Sequence, residues 1–338
     1  MENNSRTSFW QKSSCMDFNP KWFFLQLTLT ALSLFTHSDL LSQTPTDALM
    51  MPSRNACVLL SYDMGQFDRY WEGDYLRGNE TIATVHRNTF LPMAAISILG
   101  DLNLYIGLPY VKTESSEPNG GRFEGANGFQ DFMAALKYRA LEKQLGKGTL
   151  SLLSTVGFST PASNYLSDYM PYSLGFGAPE FSLRGIAQYE WDSGLYVRGM
   201  GGYLWRGYTE AERDYYYNNG SYYSSTMDVP SAWNYEGILG KWFLNYSLRA
   251  ELSYSAIKST SGDDVRDYNA AQPTNKVQFE RIGAFVQYYI PSIKGLGLVA
   301  YHSRVVNGRN TGKMANTGFG LTYQFNYLKD KKEIEDEN

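Results

Sequence analysis

The stretch GLYVRGMGGYLWRGY, which runs from Gly194 to Tyr208, presents two different faces when every second residue is compared. One face carries apolar and aromatic side chains and ends with Tyr203 and Trp205. The other face carries Arg198 and Arg206. Because alternate residues of a β-strand point to opposite sides, this pattern predicts a strand with an apolar environment on one side and an aqueous environment on the other.

The same alternation recurs along the chain. In FSLRGIAQYEW, for example, Phe181, Leu183 and Trp191 alternate with a set that includes Arg184 and Glu190. We count twelve such segments, which span approximately residues 54–65, 81–98, 101–112, 129–142, 148–160, 180–191, 194–208, 231–241, 244–257, 276–290, 295–306 and 315–327.

The connections between these segments alternate in length. Short ones, such as 192–193 and 242–243, are followed by long polar ones, such as 209–230 and 258–275. Tight periplasmic turns that alternate with long external loops are typical of bacterial outer-membrane barrels, which have an even number of antiparallel strands. The pattern predicts an all-β fold, a transmembrane antiparallel β-barrel of about twelve strands over residues 54–327, which lies in a lipid bilayer, the bacterial outer membrane.

The composition agrees with this class. The 338 residues include 27 Tyr, 18 Phe, 7 Trp and 31 Gly, and the mean hydropathy is -0.39. After the N-terminal region there is no run of about 18 apolar residues that could cross a membrane as a helix. The net charge of -4 gives no reason to expect a nucleic-acid partner.

The N-terminal region resembles a secretory signal peptide. Basic residues up to Lys21 precede an apolar run from Trp22 to Phe35, and small and polar residues follow. We therefore expect a signal peptide over 1–42, with the true start at Met16. A short periplasmic segment is expected to follow over 43–53. At the other end of the chain, a charged periplasmic tail is expected over 328–338. Cys57 is the one cysteine beyond the expected cleavage site, so no intramolecular disulfide is expected.

A soluble β-sandwich or β-propeller is the main alternative fold. Its strands would alternate in the same way, with the apolar faces buried in a shared core. That fold, however, would leave the signal peptide, the aromatic strand ends and the alternation of loop lengths without a common explanation.

The last strand carries a further signal. Its residues Asn316, Gly318, Leu321, Tyr323 and Phe325 resemble the C-terminal pattern that the barrel-assembly machinery recognises. The resemblance implies that this machinery is a partner of the chain.

A narrower resemblance lies in LNLYIGLPYV (102–111) and NGFQDFMAALKYR (127–139). These motifs resemble the outer-membrane family labelled putative MetA-pathway of phenol degradation, whose members are regarded as barrel transporters related to fatty-acid channels. The resemblance implies passage of small, often apolar molecules. Fatty-acid channels also carry an N-terminal plug of several dozen residues; here only about ten residues precede the first strand, so no hatch-type mechanism is expected.

Residue patterns for enzymatic chemistry are weak. The two histidines after the signal are His86 and His302, and His302 cannot pair with the adjacent Ser303 because neighbours on a strand point to opposite faces. We therefore expect no catalytic residues, no metal ligands and no cofactor. Two loop features keep binding alternatives open: SGDDVRD (261–267) could chelate calcium, and DYYYNNGSYYSS (214–225) could stack on a sugar or aromatic ligand.

Charged residues inside the strands indicate what lines the barrel, because a charge facing lipid near the midplane would cost about 2–4 kcal/mol. Nine basic and four acidic residues are predicted to face inward, which would make the interior basic. They are Arg87, Asp131, Lys137, Arg139, Arg184, Glu190, Arg198, Arg206, Glu236, Arg249, Glu251, Arg281 and Arg304.

These observations predict an outer-membrane channel for a small-molecule solute that is apolar or aromatic and carries an acidic group. A structural or adhesive barrel with ligand-binding loops is the first alternative. A barrel enzyme is the second.

Overall fold

The computed structural model describes residues 44–119, 123–217, 220–266 and 270–327. The expected signal peptide and the expected charged tail lie outside these residues. Within the described ranges, no helix is long and apolar enough to cross a membrane.

Twenty β-strands account for the described secondary structure. They are β1 (Asn55–Phe67), β2 (Arg69–Glu72), β3 (Tyr75–Gly78), β4 (Val85–Leu99), β5 (Leu102–Gly107), β6 (Tyr110–Asn119), β7 (Phe123–Phe129), β8 (Asp131–Gln144), β9 (Gly148–Pro161), β10 (Glu180–Trp191), β11 (Leu195–Arg206), β12 (Tyr208–Glu210), β13 (Tyr216–Tyr217), β14 (Ser221–Tyr222), β15 (Thr226–Asp228), β16 (Ala232–Phe243), β17 (Leu248–Ser259), β18 (Gln278–Tyr289), β19 (Leu296–Arg309) and β20 (Ala315–Asn326).

Fourteen of these strands form one antiparallel sheet in which β1 pairs with both β4 and β20, so the sheet closes on itself. Two successive pairs act as single barrel strands: β5 continues into β6, and β7 continues into β8. The result is the predicted closed barrel of twelve antiparallel strands. Closure leaves no strand edge with unpaired backbone groups, which is what a hydrocarbon environment requires.

The stretch that begins at Gly194 shows how the two faces are used. In β11, Tyr196, Arg198 and Met200 are buried, whereas Val197 and Trp205 point outward and are 42% and 45% exposed. The inward residues therefore face the lumen, and the outward ones form an apolar exterior.

Aromatic rings cluster on this exterior. Trp205 contacts Phe181 and Tyr203 at centroid distances of 5.5 and 4.8 Å, and Tyr203 contacts Trp233 at 4.8 Å. Such bands of aromatic side chains occur where a barrel wall meets the membrane interface.

The short turns lie at one end of the barrel. The turn between β16 and β17 contains three successive residues with positive φ, Leu244, Asn245 and Tyr246, at 50°, 52° and 64°. It therefore lies just after the connection predicted at 242–243. The hydrogen bonds Gly194 N–Trp191 O and Trp242 N–Gly194 O, both near 2.9 Å, link two neighbouring turns at this end.

The wall is interrupted between the third and fourth barrel strands. The β5–β8 pairing ends at Gly107 and Met133, and the β6–β7 pairing begins at Tyr110 and Phe129. Pro109 lies in this step and has no backbone N–H to donate, so the ladder is irregular there, although the Pro109 carbonyl accepts a hydrogen bond from the Gln130 N–H at 2.9 Å. Beyond the gap, β6 and β7 extend as a hairpin over much of the region predicted to be a loop.

The N-terminal segment lies inside the barrel rather than in the periplasm, and this corrects the prediction for 43–53. Leu49 packs against Tyr196 and Trp242, and Met51 packs against Cys57 and Tyr105, all inward-facing residues of the wall. The apolar run Leu49–Met51 buries its side chains there, which a solvated linker would not do. The lumen thus contains a short plug formed by residues 44–51.

The loop between β9 and β10 covers part of the opposite end. Arg87 donates hydrogen bonds to the backbone carbonyls of Ser173, at 3.1 Å, and Leu174. Tyr172 of the same loop packs with Phe67 and Val85 at the long-loop end of β1 and β4. Both ends of the lumen are therefore narrowed by chain segments.

Candidate functional site in the barrel lumen

A cavity of about 440 Å³ lies beside the N-terminal segment. Its wall is mostly apolar, with Met93, Tyr105, Met133 and Phe285 among the lining residues, and its charged lining residues are Arg184, Arg249 and Glu180, whose carboxylate is paired with Arg206. Residues 44–46 of the plug also line it. The cavity therefore combines a surface for an apolar body with positions for an acidic group.

The cavity also reaches the interruption in the wall. Gly107 and Met133, which end the β5–β8 pairing, belong to its lining. So do Ile106 and Phe158, which are 36% and 49% exposed on the outer face. The polar interior and the apolar exterior come close together at this point.

Lys137 fixes the plug to the wall. Its ammonium group is completely buried and donates to the Thr44 carbonyl at 2.8 Å, the Asp47 carbonyl at 3.1 Å and the Asp47 carboxylate at 2.8 Å. It also lies 4.9 Å from the ring centroid of Tyr105. A buried ammonium needs such partners, because desolvation of an unpaired charge is strongly unfavourable.

A second charged group lies on β11, β16 and β17. Glu251 accepts hydrogen bonds from Tyr196 at 2.5 Å and Arg198 at 3.2 Å, and Arg249 approaches it to 3.8 Å. Arg198 also lies 3.7 Å from Glu236. Two carboxylates are thus shared by two buried guanidinium groups.

Several of these buried groups keep hydrogen-bonding capacity. The Nε atoms of Arg184, Arg198 and Arg249 are buried and have no hydrogen-bond partner among the described residues. The side-chain amide of Gln287 is also buried without a hydrogen-bond partner among the described residues. Buried donors without partners are uncommon in proteins, so they indicate a place where a ligand or water completes the bonding.

The structure places most of the predicted interior residues on the inward face of their strands. These twelve are Arg87, Asp131, Lys137, Arg139, Arg184, Glu190, Arg198, Arg206, Glu236, Arg249, Glu251 and Arg281. They occupy different depths. Arg139 pairs with Asp101 of a short turn at 2.7 Å, and Arg206 pairs with Glu180 near the long loops at 2.8 Å.

Arg304 is the exception. It is exposed and lies on the same face as Leu298 and Val306, so the prediction that it lines the lumen is wrong. Both faces of β19 carry apolar residues, and the alternation there does not distinguish inside from outside. Arg304 pairs with Ala315 at the long-loop end of β20, where a long cationic side chain can reach water.

The sequence argument missed several inward carboxylates, among them Asp47, Asp63 and Glu180. Asp63 lies on the inward face of β1. With these residues, and without Arg304, acidic side chains nearly equal the basic ones in number in the described part of the lumen. The interior is close to neutral, which corrects the predicted ratio of nine to four.

The histidines do not assemble a hydrolytic site with Ser303. His302 lies on the outer face and bonds Thr317 at 2.9 Å, whereas Ser303 points inward. His86 precedes the inward Arg87 on β4, so it lies on the opposite face. No cluster of three or more metal-ligating side chains was found among the described residues.

The two loop features have defined structures. Tyr216 and Tyr222 stack at 5.3 Å in the hairpin β13–β14, and Tyr215 contacts Tyr223 at 5.3 Å. In the loop that contains residues 261–266, Asp264 pairs with Arg309. This ion pair neutralises a carboxylate that calcium binding would require. The rings of the tyrosine hairpin therefore already contact one another.

The sequence matches the family model described as Putative MetA-pathway of phenol degradation over residues 72–325. The chain belongs to this family. The match spans the barrel from β2 to β20 and includes both motifs that carry the resemblance. No curated protein matches the sequence.

The fold is similar to that of an outer membrane channel from Pseudomonas putida F1, with a TM-score of 0.66 and 13% identity over 84% of this chain and 100% of that chain. The translocator domain of the autotransporter NalP from Neisseria meningitidis aligns with a TM-score of 0.42 and 11% identity over 90% of this chain and 96% of that chain. The closed barrel and its apolar exterior place the protein in the bacterial outer membrane.

Proposed function

We propose that the barrel is a channel for small molecules with an apolar or aromatic body and one acidic group. The observation that carries the proposal is the cavity, because its lining combines apolar side chains with Arg184 and Arg249. An apolar body gains free energy from burial against this wall. A carboxylate on the same molecule can accept hydrogen bonds from guanidinium nitrogens that otherwise have no partner.

The narrow lumen favours a lined path over free diffusion. A barrel of twelve strands lies between eight-stranded barrels, which side chains fill, and sixteen-stranded ones, which leave an aqueous channel. Here the plug and the loop between β9 and β10 reduce the bore further. A solute must therefore contact the wall, and the chemistry of the wall then determines which solutes pass.

The interruption beside Gly107 supports an apolar solute in particular. The cavity reaches outward-facing residues at this point, where the ladder is irregular and the Gln130 N–H donates to the Pro109 carbonyl at 2.9 Å, so a local opening of this step would let an apolar body pass between lumen and bilayer. A strongly hydrated solute would gain nothing from that route.

Uptake by proteoliposomes tests the proposal. We expect benzoate to enter faster than glucose, and Arg184→Gln to slow benzoate entry more than glucose entry. Arg139→Gln is the matched control, because it removes the same charge at the turn end, outside the cavity. If neither solute enters, the adhesive alternative is favoured. If His86→Ala or His302→Ala abolishes uptake, the expectation that neither histidine takes part in the function is wrong.

A further inference from the structure

We propose that the outer face of the wall formed by β18, β19, β20 and β1 binds one phosphorylated glycolipid with several acyl chains, from the outer leaflet of the membrane. Cations at the long-loop end bind its phosphate groups, and an apolar groove below them holds one of its acyl chains. The proposal does not depend on the solute that the channel carries, because the residues that carry it do not line the lumen cavity.

The groove is a depression of about 630 Å³ in the apolar exterior. Ala300, a small outward-facing residue of β19, lies in it opposite Val286 of β18 and Phe319 of β20. Phe319 in turn lies opposite Tyr62 of β1, so larger side chains stand on both sides of the alanine. A hydrocarbon chain that lies over Ala300 contacts these side chains and gains more dispersion energy than it would on a flat wall.

The groove continues toward the long-loop end on the same face. Ala300, His302 and Arg304 occupy successive outward positions of β19, and all three are exposed. Arg304 lies four residues beyond Ala300, a distance of about 13 Å along an extended strand. Because aromatic side chains such as Tyr62 and Phe319 mark the membrane interface, this distance places Arg304 at the level of the lipid headgroups.

Two further cations lie at this end of the wall. Arg304 lies opposite Ala315 of β20, and Lys313 precedes Ala315 by two residues. The backbone N–H of Lys313 donates to the Arg69 carbonyl at 2.8 Å, which brings the start of β2 to the same place. Arg304 and Arg69 are exposed and Lys313 is half-buried, and within the described residues none of the three makes a salt bridge.

Carboxylates on the same outer face leave these cations unpaired. Glu114 of β6 forms an ion pair within its own strand, and Glu280 of β18 makes no salt bridge with Arg304 in the described part of the chain. His302 adds a ring nitrogen, because its Nδ1 is hydrogen-bonded to Thr317 Oγ1 at 2.9 Å and its Nε2 remains available. A guanidinium group binds a phosphate through two parallel hydrogen bonds, so this end of the wall suits a phosphorylated headgroup.

Another side of the barrel shows what an ordinary lipid interface looks like. Where β10, β11 and β16 meet the long loops, the outward residues are Phe181, Trp205 and Trp233, which are 45%, 45% and 46% exposed. Arg206 at this end faces inward and pairs with Glu180 at 2.8 Å. Aromatic rings suit any lipid, whereas the cations beside β19 select one with a negative headgroup.

Native mass spectrometry of the detergent-solubilised barrel tests the charged part of the site, with bisphosphorylated lipid A as the probe. We expect the wild type to retain one lipid A molecule. Arg304→Gln should weaken binding about five-fold, the factor that one cation near an anionic lipid surface contributes, and Arg304→Lys should retain most of the affinity. Lys241→Gln is the matched control, because it removes an exposed cation of the outer face at the short-turn end. Equal weakening by Arg304→Gln and Lys241→Gln would overturn the proposal.

The groove is tested separately from the charge. Ala300→Trp fills the groove, and we expect it to weaken lipid A binding. Ala187→Trp should have no effect, because Ala187 is an outward-facing alanine of β10 outside the groove. Heat-modifiable gel mobility shows whether each variant is folded, and Ala300→Leu replaces Ala300→Trp if the latter is not. Unchanged binding in the folded variant would show that no acyl chain lies over Ala300, and the proposal would be wrong.

Related anions distinguish the glycolipid from other sources of phosphate. Monophosphorylated lipid A should bind more weakly than the bisphosphorylated form, because it offers fewer charges to the cations. Inorganic phosphate at the same concentration should not displace lipid A, because it has no acyl chain for the groove. Displacement by inorganic phosphate, or equal affinity for phosphatidylglycerol, would show a general anion site and would contradict the assignment to a glycolipid.

Discussion

Two ion-paired clusters lie in very different surroundings. In the lumen, Lys137 and Asp47 are 0% and 2% exposed, whereas in the long loops Arg309 and Asp264 are 34% and 27% exposed. Both pairs have short contacts. In the lumen, however, water cannot replace a lost partner, and in the loops it can.

The difference indicates that the two clusters have different tasks. The loop pair holds together segments that the side chain of Asn310 also joins, and each partner could be solvated alone. The lumen pair bonds residues 44–47 to the wall of the bore. A short distance alone therefore says little about how much an ion pair contributes to stability. The burial of its members determines how much free energy is lost when the pair is broken.

The largest expected effect is on the lumen pair. Lys137→Met leaves the Asp47 carboxylate buried without its closest partner, and we expect a loss of about 3–5 kcal/mol in the free energy of unfolding. Adding Asp47→Asn should recover much of the lost free energy of unfolding, because no unpaired charge then remains at the contact. Urea unfolding from lipid vesicles measures both variants. A double variant as unstable as Lys137→Met would show that the pair is not coupled.

The architecture of the barrel was predictable because alternation repeats many times. In β11, every outward position from Leu195 to Trp205 and every inward position from Tyr196 to Arg206 agrees with the pattern. A wrong assignment of the inward and outward faces in one strand does not change the predicted fold, because a closed barrel depends on how many strands there are. The failure at Arg304 is of this isolated kind.

The site was less predictable because Asp47, which is bonded to Lys137 of the wall, belongs to no strand. Asp47 has no periodic neighbours to show its environment, and its position depends on contacts with residues far away in the sequence, such as Lys137. One signal was present: the run Leu49–Met51 is too apolar for an exposed linker. The irregular pairing at Pro109 also has a local cause, because this proline lies within the motif LNLYIGLPYV (102–111). The spacing of the predicted strands gave no sign of it.

The second effect concerns ion selectivity. Arg184 lines the cavity, whereas Arg198 is bonded to Glu251 away from it. We expect a reversal potential on the anion side under a salt gradient, reduced more by Arg184→Ala than by Arg198→Ala, because the charge nearer the path acts on the ion more strongly. Cation preference in the wild type, or equal effects of the two substitutions, would show that position along the path does not determine selectivity.

The third effect lies in the loops and depends on pH. Burial raises the pKa of Asp263 from its usual 3.8 to about 6. The folded loop therefore favours the neutral carboxyl, and it loses stability as the pH rises from about 4 to about 6, with no further loss above that range. The neighbouring Asp264 behaves oppositely, since its hydrogen bond from Arg309 lowers its pKa, so its contribution is lost only at more acidic pH.

Hydrogen exchange at the Lys276 amide, which bonds the Asp263 carbonyl at 2.8 Å, measures this change. After correction for intrinsic exchange, we expect protection to fall between pH 4 and 6 in the wild type and to stay constant in Asp263→Asn. A fall that persists in Asp263→Asn would assign the titration to another group.

The smallest effect is expected for the loop pair. Arg309→Gln removes an ion pair whose members are both partly exposed, and such pairs contribute about 0.2–1 kcal/mol. The loop keeps the bonds of Asn310, whose side chain accepts from the Gly73 and Val265 amides at 2.9 Å and donates to the Lys276 carbonyl at 2.9 Å. Exchange at the Gly73 amide should therefore accelerate only slightly in Arg309→Gln and much more in Asn310→Ala, and added salt should weaken the Arg309 contribution further. If Arg309→Gln instead proved as destabilising as Lys137→Met, burial would not be what separates the two clusters, and the loops would have to be regarded as part of the machinery that controls the channel.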